Sequence, residues 1–219
     1  VGCPSPRVCS GNFGASLMKE PTKVAECVQS LKNNCNLPVT IKHRIGVDDE
    51  DSFDNLDNFV KEVSNAGADR FTVHARKAIL KGLNPKQNRT IPPLRYKMVQ
   101  QLKKNNPQLL IEINGGFTDI DQCIEALKDF DGVMIGRSAY KHPLIWSEID
   151  KKIYGENTST KKCSEIIISL IPYIEKHLKE GGETWDICKH LINLVQNIPK
   201  AKIWRNQIST RSIKKELSI

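Results

Sequence analysis

The first 140 residues alternate short β-rich runs with amphipathic helical runs. Predicted strands cover residues 38–42, 70–74, 109–113 and 132–135, and predicted helices cover residues 21–33, 52–66, 96–105 and 119–130. The second helix has the clearest apolar stripe with a 3.6-residue period, formed by Phe53, Leu56, Phe59, Val60 and Val63. Strands that alternate with helices in this way predict a parallel α/β fold.

The pattern changes after Tyr154, where a polar linker (residues 155–162) precedes a region with no strand signal. Two apolar stripes at helical spacing follow it, separated by Gly181 and Gly182. The first consists of Ile166, Ile167, Leu170, Ile171, Ile174 and Leu178, and the second of Ile187, Leu191, Leu194, Val195 and Ile198. We therefore expect two domains, an α/β domain over residues 1–154 and a small all-helical domain over residues 155–219.

Polar residues gather where each predicted strand ends. These groups are Lys42-His43-Arg44, His74-Ala75-Arg76-Lys77, Asn114-Gly115-Gly116 and Gly136-Arg137. In a β/α barrel the active site is built at the carboxyl ends of the strands, often with phosphate bound by the last loops. One polar strand end is ordinary, but four in succession make a barrel site the leading structural hypothesis.

The last two of these groups have the character of a phosphate cradle. Glycines at Gly115, Gly116 and Gly136 let backbone N–H groups approach an anion, and Arg137 adds a fixed positive fork. A glycine after a strand more often only makes a turn, so either group by itself is a weak signal. Their occurrence at successive strand ends favours phosphate binding.

Three single residues are candidates for chemistry or cofactor contact, each with a simpler structural alternative. Lys42 can pair with an anionic cofactor or an electron-rich ring, or be a surface lysine. His74 can hydrogen-bond a cofactor or substrate, or close a strand. Cys3 lies where a strand would end and a loop begin; an ordinary thiol has a pKa of about 8.5 and can donate a proton at neutral pH. Its alternative is a buried structural cysteine.

Net charge favours a polyanionic partner, although many basic proteins bind none. The chain carries a formal charge of +8, with a pI near 9.1. Residues 200–219 are especially basic, with Lys200, Lys202, Arg205, Arg211, Lys214 and Lys215 against the single acid Glu216. The simpler alternative is a solvated basic tail.

Cysteine usage and hydropathy restrict the class of protein. The seven cysteines are irregularly spaced with no Cys-x-x-Cys, which argues against a disulfide framework or a metal site and for a reducing compartment. No stretch approaches the roughly 18 unbroken apolar residues of a membrane helix, so we expect no membrane span.

Several motifs, in one order along the chain, resemble the tRNA-dihydrouridine synthase family. The opening VGCPSPRVCSGNFGASLM resembles its GCP signature, and HARKAILKGLNPKQNRTIPPL, from residue 74, is similar to its A-type branch. INGG (113–116) and GVMIGRSAYKHP (132–143) are similar to its FMN-phosphate strands. KAKIWRNQIS, from residue 200, resembles the end of its helical RNA-binding domain.

The resemblance implies a fold and a reaction. The fold is the C-terminal half of a (β/α)₈ TIM barrel, beginning at the end of the fourth strand, followed by a helical tRNA-binding domain. The reaction is FMN-dependent reduction of the uracil 5,6 double bond in D-loop uridines of tRNA, at positions 20 and 20a, with NADPH as reductant. It implies a monomer at full length and a cytoplasmic location; an organellar one stays open, because a targeting segment would lie upstream.

The family's residue roles carry over to matching positions. Cys3 would be the proton donor, and the FMN contacts would be Lys42, His74, Asn114, Gly115, Gly116, Gly136 and Arg137. The RNA contacts would be Lys86, Arg89, Lys202 and Arg205. No metal is implied. Lys202 stands where the family pattern has arginine, which keeps the charge and loses the bidentate fork.

Two other functions compete with this prediction. A different FMN barrel acting on a free pyrimidine shares the phosphate cradle and a catalytic thiol, but it does not explain the basic helical region or the 74–94 loop. A catalytically silent chain that binds RNA without flavin is the other, motivated by the abrupt start at Val1.

Overall fold

The computed structural model describes residues 1–157, 159–196 and 199–213, with side chains described as far as residue 210. The chain groups into two compact units. The first comprises Val1–Phe117 and Gln122–Ile135, and the second comprises Thr118–Asp121 and Gly136–Ile219. Within the described ranges, no helix combines the length and apolar character needed to cross a membrane.

Four parallel strands form the sheet of the first unit, in the order β1-β2-β3-β4. They are β1 (Thr40–Arg44), β2 (Arg70–His74), β3 (Ile111–Asn114) and β4 (Gly132–Met134). All four predicted strands are present, although β1 and β3 each begin two residues later than predicted. The expected parallel α/β architecture is confirmed.

Helices lie before, between and after the strands and continue to the end of the described chain. They are α1 (Pro6–Cys9), α2 (Pro21–Asn34), α3 (Phe53–Asn65), α4 (Tyr96–Asn105), α5 (Ile120–Ala126), α6 (Arg137–Lys141), α7 (Ile149–Lys152), α8 (Cys163–Lys179), α9 (Thr184–Cys188) and α10 (Ala201–Ile213). Helix α3 begins where the sequence predicts, because the Ser52 hydroxyl accepts a hydrogen bond from the Asn55 N–H (3.1 Å), the usual arrangement of an N-cap serine.

The two faces of the sheet differ in chemistry because side chains alternate along each strand. One face packs on the helices of the first unit and is apolar; its members include Ile41, Phe71, Val73, Ile111 and Ile113, all buried. The opposite face is polar. There the Glu112 carboxylate accepts hydrogen bonds from the Thr72 hydroxyl (2.7 Å) and the Arg70 guanidinium (2.8 Å). We call this second surface the polar face.

The second unit is helical, but one predicted helix is wrong. Helix α9 ends at Cys188, and residues 189–194 form successive turns in which the N–H groups of His190 and Leu191 bond three residues back. Apolar residues three and four apart occur in such turns as they do in a helix, so the spacing did not distinguish them. Ile198, the predicted end of that helix, lies outside the described residues.

The predicted domain boundary, between residues 154 and 155, lies at a different position from the boundary between the two compact units. Residues 136–154 group with the second unit, whereas the sequence pattern sets the change of character at the polar linker that follows Tyr154. A functional boundary between residues 154 and 155 stays a prediction.

Candidate functional site

The sheet register brings several predicted cofactor-contacting side chains to one end of the polar face. Arg44 pairs with His74, and His74 pairs with Asn114. Lys42 lies two residues before Arg44 on the same strand and therefore points to the same face. The Asn114 side-chain amide donates to the carbonyl of Met134 (2.8 Å), the next partner in the register. The carboxyl end of the polar face is thus lined by three successive strands.

Some residues expected after the strands belong to the strands themselves. The first strand was predicted to end at Lys42, but His43 and Arg44 also lie in β1, and Asn114, predicted to follow the third strand, lies in β3. Polar residues have weak strand signals because β propensity largely reflects packing on a half-buried surface. Where one face of the sheet is polar, β propensity therefore predicts the end of a strand too early.

The segment that carries Cys3 lies directly beside β1. A Cβ built on Gly2 would be 3.4 Å from the Lys42 carbonyl oxygen and 3.4 Å from the His43 Cα, so the two backbones are in close contact. The Arg44 Nε donates to the Gly2 carbonyl at 3.0 Å. Cys3 is therefore held next to the strand that carries Lys42, as the sequence-based assignment requires.

Cys3 is exposed rather than buried, so its structural alternative, a buried packing cysteine, is wrong. Its backbone is fixed by two donors to one carbonyl: the Ala15 N–H at 2.9 Å and the Cys9 thiol at 3.3 Å. The backbone is anchored while the side chain stays accessible. This combination suits a group that must reach a substrate.

The glycine pair after β3 makes a turn that only glycine adopts easily. Gly115 has a φ of +113° and Gly116 a φ of +87°. A Cβ on Gly115 would fall 2.7 Å from the His74 ring, and a Cβ on Gly116 would fall 2.7 Å from the Tyr96 hydroxyl oxygen. The Tyr96 hydroxyl donates to the Gly115 carbonyl. The turn is therefore packed against His74 on one side and pinned by Tyr96 at the start of α4.

Positive charge accumulates around this end of the sheet. Burial, together with the nearby charges of Arg89 and Arg76, lowers the pKa of Arg44 to about 10. Lys42 is exposed, yet surrounding protein partly desolvates its ammonium and the charge of Arg44 adds to the effect, so its pKa is also lowered. Cations grouped closely enough to lower one another's pKa favour an anionic ligand at this end of the sheet.

The long loop between β2 and α4 carries the predicted RNA contacts of the first unit. Lys86 and Arg89 are both exposed; Lys86 directly precedes a short 3₁₀ turn (Gln87–Arg89), and Arg89 is its last residue. Between them Asn88 is completely buried. The Arg44 Nη1 donates to the carbonyls of Lys77 and Asn88, each at 3.0 Å. Sequence reasoning assigned no role to Arg44 or Asn88, because buried polar links between loops leave no periodic signal.

His43 does not belong to the polar face, although it lies between Lys42 and Arg44. Its ring is fully buried on the core side of the sheet, with its centroid 5.1 Å from that of Phe59 and 5.9 Å from that of Phe71. Burial lowers the pKa of His43 to about 4. It is a neutral core residue near pH 7.

The second unit holds the remaining predicted residues. Gly136 precedes α6, with no atom within 4 Å of a Cβ built on it, and Arg137 begins that helix. Lys202 and Arg205 lie on α10, which confirms the helix expected for them. Lys202 is exposed, whereas Arg205 is half-buried, with its Nη1 3.5 Å from the Val195 carbonyl.

Comparison with known proteins identifies relatives along the whole chain. A protein of Synechocystis named tRNA-dihydrouridine(20/20a) synthase is 51% identical over 213 residues, which are 97% of this chain and 64% of that protein. Proteins of the same name are 46% identical in Vibrio cholerae (98% of this chain, 66% of the relative) and 44% identical in Pseudomonas aeruginosa (95% and 63%). The chain thus spans slightly less than two thirds of the length of these relatives.

The family model described as dihydrouridine synthase (Dus) matches residues 1–219. That match includes the Cys3 segment, the polar face and the glycine turn described above. The chain therefore belongs to the dihydrouridine synthase family.

Proposed function

We propose that this chain is the C-terminal part of a tRNA-dihydrouridine synthase that reduces the 5,6 double bond of D-loop uridines, at positions 20 and 20a. The observation that carries the proposal is the anchored, exposed Cys3 beside a cationic polar face that ends in a glycine turn. The names of the relatives, tRNA-dihydrouridine(20/20a) synthase, support both the substrate and the two positions.

The parallel sheet supports a more specific fold. Four consecutive parallel strands, joined by helices, with one apolar and one polar face, are what the second half of a (β/α)₈ TIM barrel would contribute. In such a barrel the polar face lines the interior and its carboxyl end opens to the substrate. The helical second unit then supplies the tRNA-binding domain.

The residues present fit FMN. The Gly115–Gly116 turn has positive φ at both residues and packs directly against His74 and Tyr96, so only glycine fits there, and its backbone N–H groups would contact the phosphate. Lys42 and His74 lie on the same face and would contact the flavin. Gly136 and Arg137, which belong to the second unit, are the further phosphate-binding positions that the family resemblance implies. When bound, FMN supplies the hydride that adds to the uracil ring, and NADPH restores the reduced flavin.

Cys3 would supply the proton that completes the reduction. Addition of one hydride and one proton across the double bond leaves a saturated, neutral ring, so a donor must stand at the carbon that receives the proton. The Cys3 thiol is exposed, and hydrogen bonds to the Cys3 carbonyl fix its backbone. It would therefore be accessible to a uracil base that is turned out of the tRNA fold. No step requires a metal.

The RNA contacts would lie on both units. Lys86 and Lys202 are exposed, Arg89 is exposed beside the cationic face, and Arg205 is half-buried. Phosphate contacts from such residues hold a folded RNA in place without reading its sequence. The net charge of +8 is in keeping with this role.

A single experiment tests the function and the proton donor together. Because the relatives are longer than this chain, the test uses the full-length protein, with FMN, NADPH and unmodified tRNA. We expect mass spectrometry to detect dihydrouridine with the wild type and none with Cys3→Ala, while FMN and tRNA still bind. Cys27→Ala removes another exposed thiol, on α2, and is the matched control that should keep full activity.

Three results would contradict the proposal in whole or in part. Near-normal activity of Cys3→Ala would remove Cys3 from the reaction. Reduction of free uracil but not of tRNA would favour the small-molecule FMN barrel, and a colourless protein that binds tRNA without forming dihydrouridine would favour the silent RNA-binding alternative.

A further inference from the structure

The buried side chain of Asn88 forms hydrogen bonds with the backbone of the long loop between β2 and α4. Its side-chain oxygen accepts from the Ile79 N–H at 2.8 Å, and its amide nitrogen donates to the carbonyls of Ile79 (2.8 Å), Leu83 (3.2 Å) and Asn84 (3.4 Å). The residue has no exposed surface. A single carboxamide thus satisfies backbone groups at three positions of the segment 79–88, which we call the Asn88 loop.

Arg44 connects the Asn88 loop to the segment that carries Cys3. The guanidinium donates through Nη1 to the Asn88 carbonyl and through Nε to the Gly2 carbonyl, both at 3.0 Å. Arg44 is itself only 3% exposed. Arg89 is therefore connected to Cys3 through its chain neighbour Asn88, the buried guanidinium of Arg44, and Gly2, the chain neighbour of Cys3.

We propose that Asn88 is a positioning residue for RNA recognition, which holds the Asn88 loop so that Lys86 and Arg89 stand at a fixed place relative to Cys3. This inference rests on the proposed function and gives Asn88, which is fully buried, an indirect role in RNA binding. Lys86 and Arg89 have long, exposed side chains, and the place from which each of them extends is set by the backbone of the loop. Asn88 lies two residues after the first and one before the second.

The main core of the first unit does not depend on this residue, although Leu80 of the Asn88 loop packs against a smaller cluster of Ala15, Val47 and Ala78. The main core draws on the sheet and on helices α2 to α4, and none of its fully buried members lies between residues 79 and 88. Loss of the Asn88 carboxamide would leave the Ile79 N–H without its acceptor and the carbonyls of Ile79 and Leu83 without this donor, whereas the Asn84 carbonyl keeps the Asn88 backbone N–H at 3.0 Å. The expected effect is a loosened loop on an intact sheet.

A double-mutant cycle separates positioning from general damage. In the full-length protein, Asn88→Ala should weaken tRNA binding about tenfold, as expected for one unsatisfied buried polar group, with the FMN dissociation constant unchanged. In a Lys86→Ala/Arg89→Ala background, Asn88→Ala should weaken tRNA binding less than about twofold, because the side chains it positions are already gone. Asn34→Ala removes an exposed carboxamide from α2 and should leave every quantity unchanged.

Amide hydrogen exchange provides a direct structural readout. We expect the Ile79 amide to lose protection in Asn88→Ala, while the amides of β2 keep theirs. If Asn88→Ala does not fold, Asn88→Ser carries the same cycle, since its hydroxyl is smaller yet still polar, and a smaller but equally non-additive loss of tRNA affinity is expected.

The outcomes that overturn the inference are distinct from those that overturn the function. Wild-type tRNA affinity in Asn88→Ala, or an equal loss with and without Lys86 and Arg89, contradicts the positioning role. Weakened FMN binding in parallel with tRNA binding contradicts it as well, because the damage is then general. Absence of dihydrouridine with the wild type would instead remove the proposed function, and this inference with it.

Discussion

A side chain at Gly14 would collide with Cys3. The Cβ built on Gly14 lies 2.5 Å from the Cys3 carbonyl oxygen and 3.3 Å from the Cys3 Cβ, at a backbone φ of +65°. Contacts below 3.0 Å do not persist, so one of the two segments would have to move. The backbone at Gly14 is therefore part of what fixes the location of the thiol.

Gly14→Ala should displace Cys3 and reduce dihydrouridine formation by about tenfold or more under saturating tRNA, since small misplacement of a reacting group has large kinetic effects. FMN binding should be retained. Gly82→Ala is the matched control, because Gly82 also has a positive φ (+87°) but no atom within 4 Å of its added Cβ. Equal rates for the two variants would show that Gly14 does not position Cys3.

Tyr96→Phe should weaken FMN binding about fivefold, the usual effect of losing one intramolecular hydrogen bond. The hydroxyl that pins the Gly115 carbonyl is deleted, while the ring keeps its contact with Phe117 (centroids 5.7 Å apart). Quenching of flavin fluorescence measures the affinity. Tyr173→Phe, at an exposed position on α8, should have no effect. An unchanged affinity in Tyr96→Phe would separate Tyr96 from the phosphate turn.

His43 should make the fold sensitive to acid. Its pKa is about 4 in the folded protein, because of burial, and about 6.5 when unfolded. Below pH 6.5 the unfolded chain takes up a proton that the folded protein does not accept until about pH 4, so stability falls across that window. Between pH 7 and pH 5 we expect His43 to account for a loss of about 2 kcal/mol.

Urea denaturation followed by circular dichroism at both pH values checks this sign. His43→Leu should show a smaller loss of stability between pH 7 and pH 5 than the wild type, even if it is less stable throughout. His142→Leu, at an exposed position, should keep the wild-type pH dependence. An identical loss in His43→Leu would contradict the assignment.

Lys202→Ala with Arg205→Ala should weaken tRNA binding and flatten its dependence on salt by roughly 1.5 in the logarithmic slope, the contribution of two phosphate contacts. Because Arg205 is half-buried and contacts the Val195 carbonyl, the two single variants should differ, with Lys202→Ala less harmful to helix α10. Lys176→Ala with Lys179→Ala removes the same charge from exposed positions on α8. An equal change of slope in that control would point to net charge rather than contact.

Much of the first unit could be predicted because its signals are local and repeated. The stripe from Phe53 to Val63 predicted α3 to within one residue at each end, and the alternation with strands predicted the parallel sheet. Strand ends were less accurate, since Lys42 and Arg44 face a polar surface where propensity offers no guide. The continuation of α9 to Ile198 was wrong because turns and helices share the spacing of Leu191 and Leu194.

The candidate site divides in a similar way. Cys3, Lys42 and His74 could be proposed from their motifs, since reacting and binding groups have characteristic neighbours in sequence. Arg44, Asn88 and Tyr96 could not, because their roles depend on carbonyls of residues 9 to 44 positions away along the chain. Links of that kind are properties of the folded chain.

The long loop begins and ends at one point. The Arg95 N–H donates to the Ala75 carbonyl at 2.8 Å, so the two ends of the nineteen-residue loop between them are joined by a hydrogen bond, at the end of β2 and the start of α4. A loop whose ends are joined in this way can be lengthened without disturbing β2 or α4, since neither end has to move. The exposed tip at Lys81 and Gly82 is where length can be added at the least cost. Under the proposed function, the RNA contacts of the first unit, Lys86 and Arg89, therefore belong to a segment that can change in length while β2 and α4 keep their places.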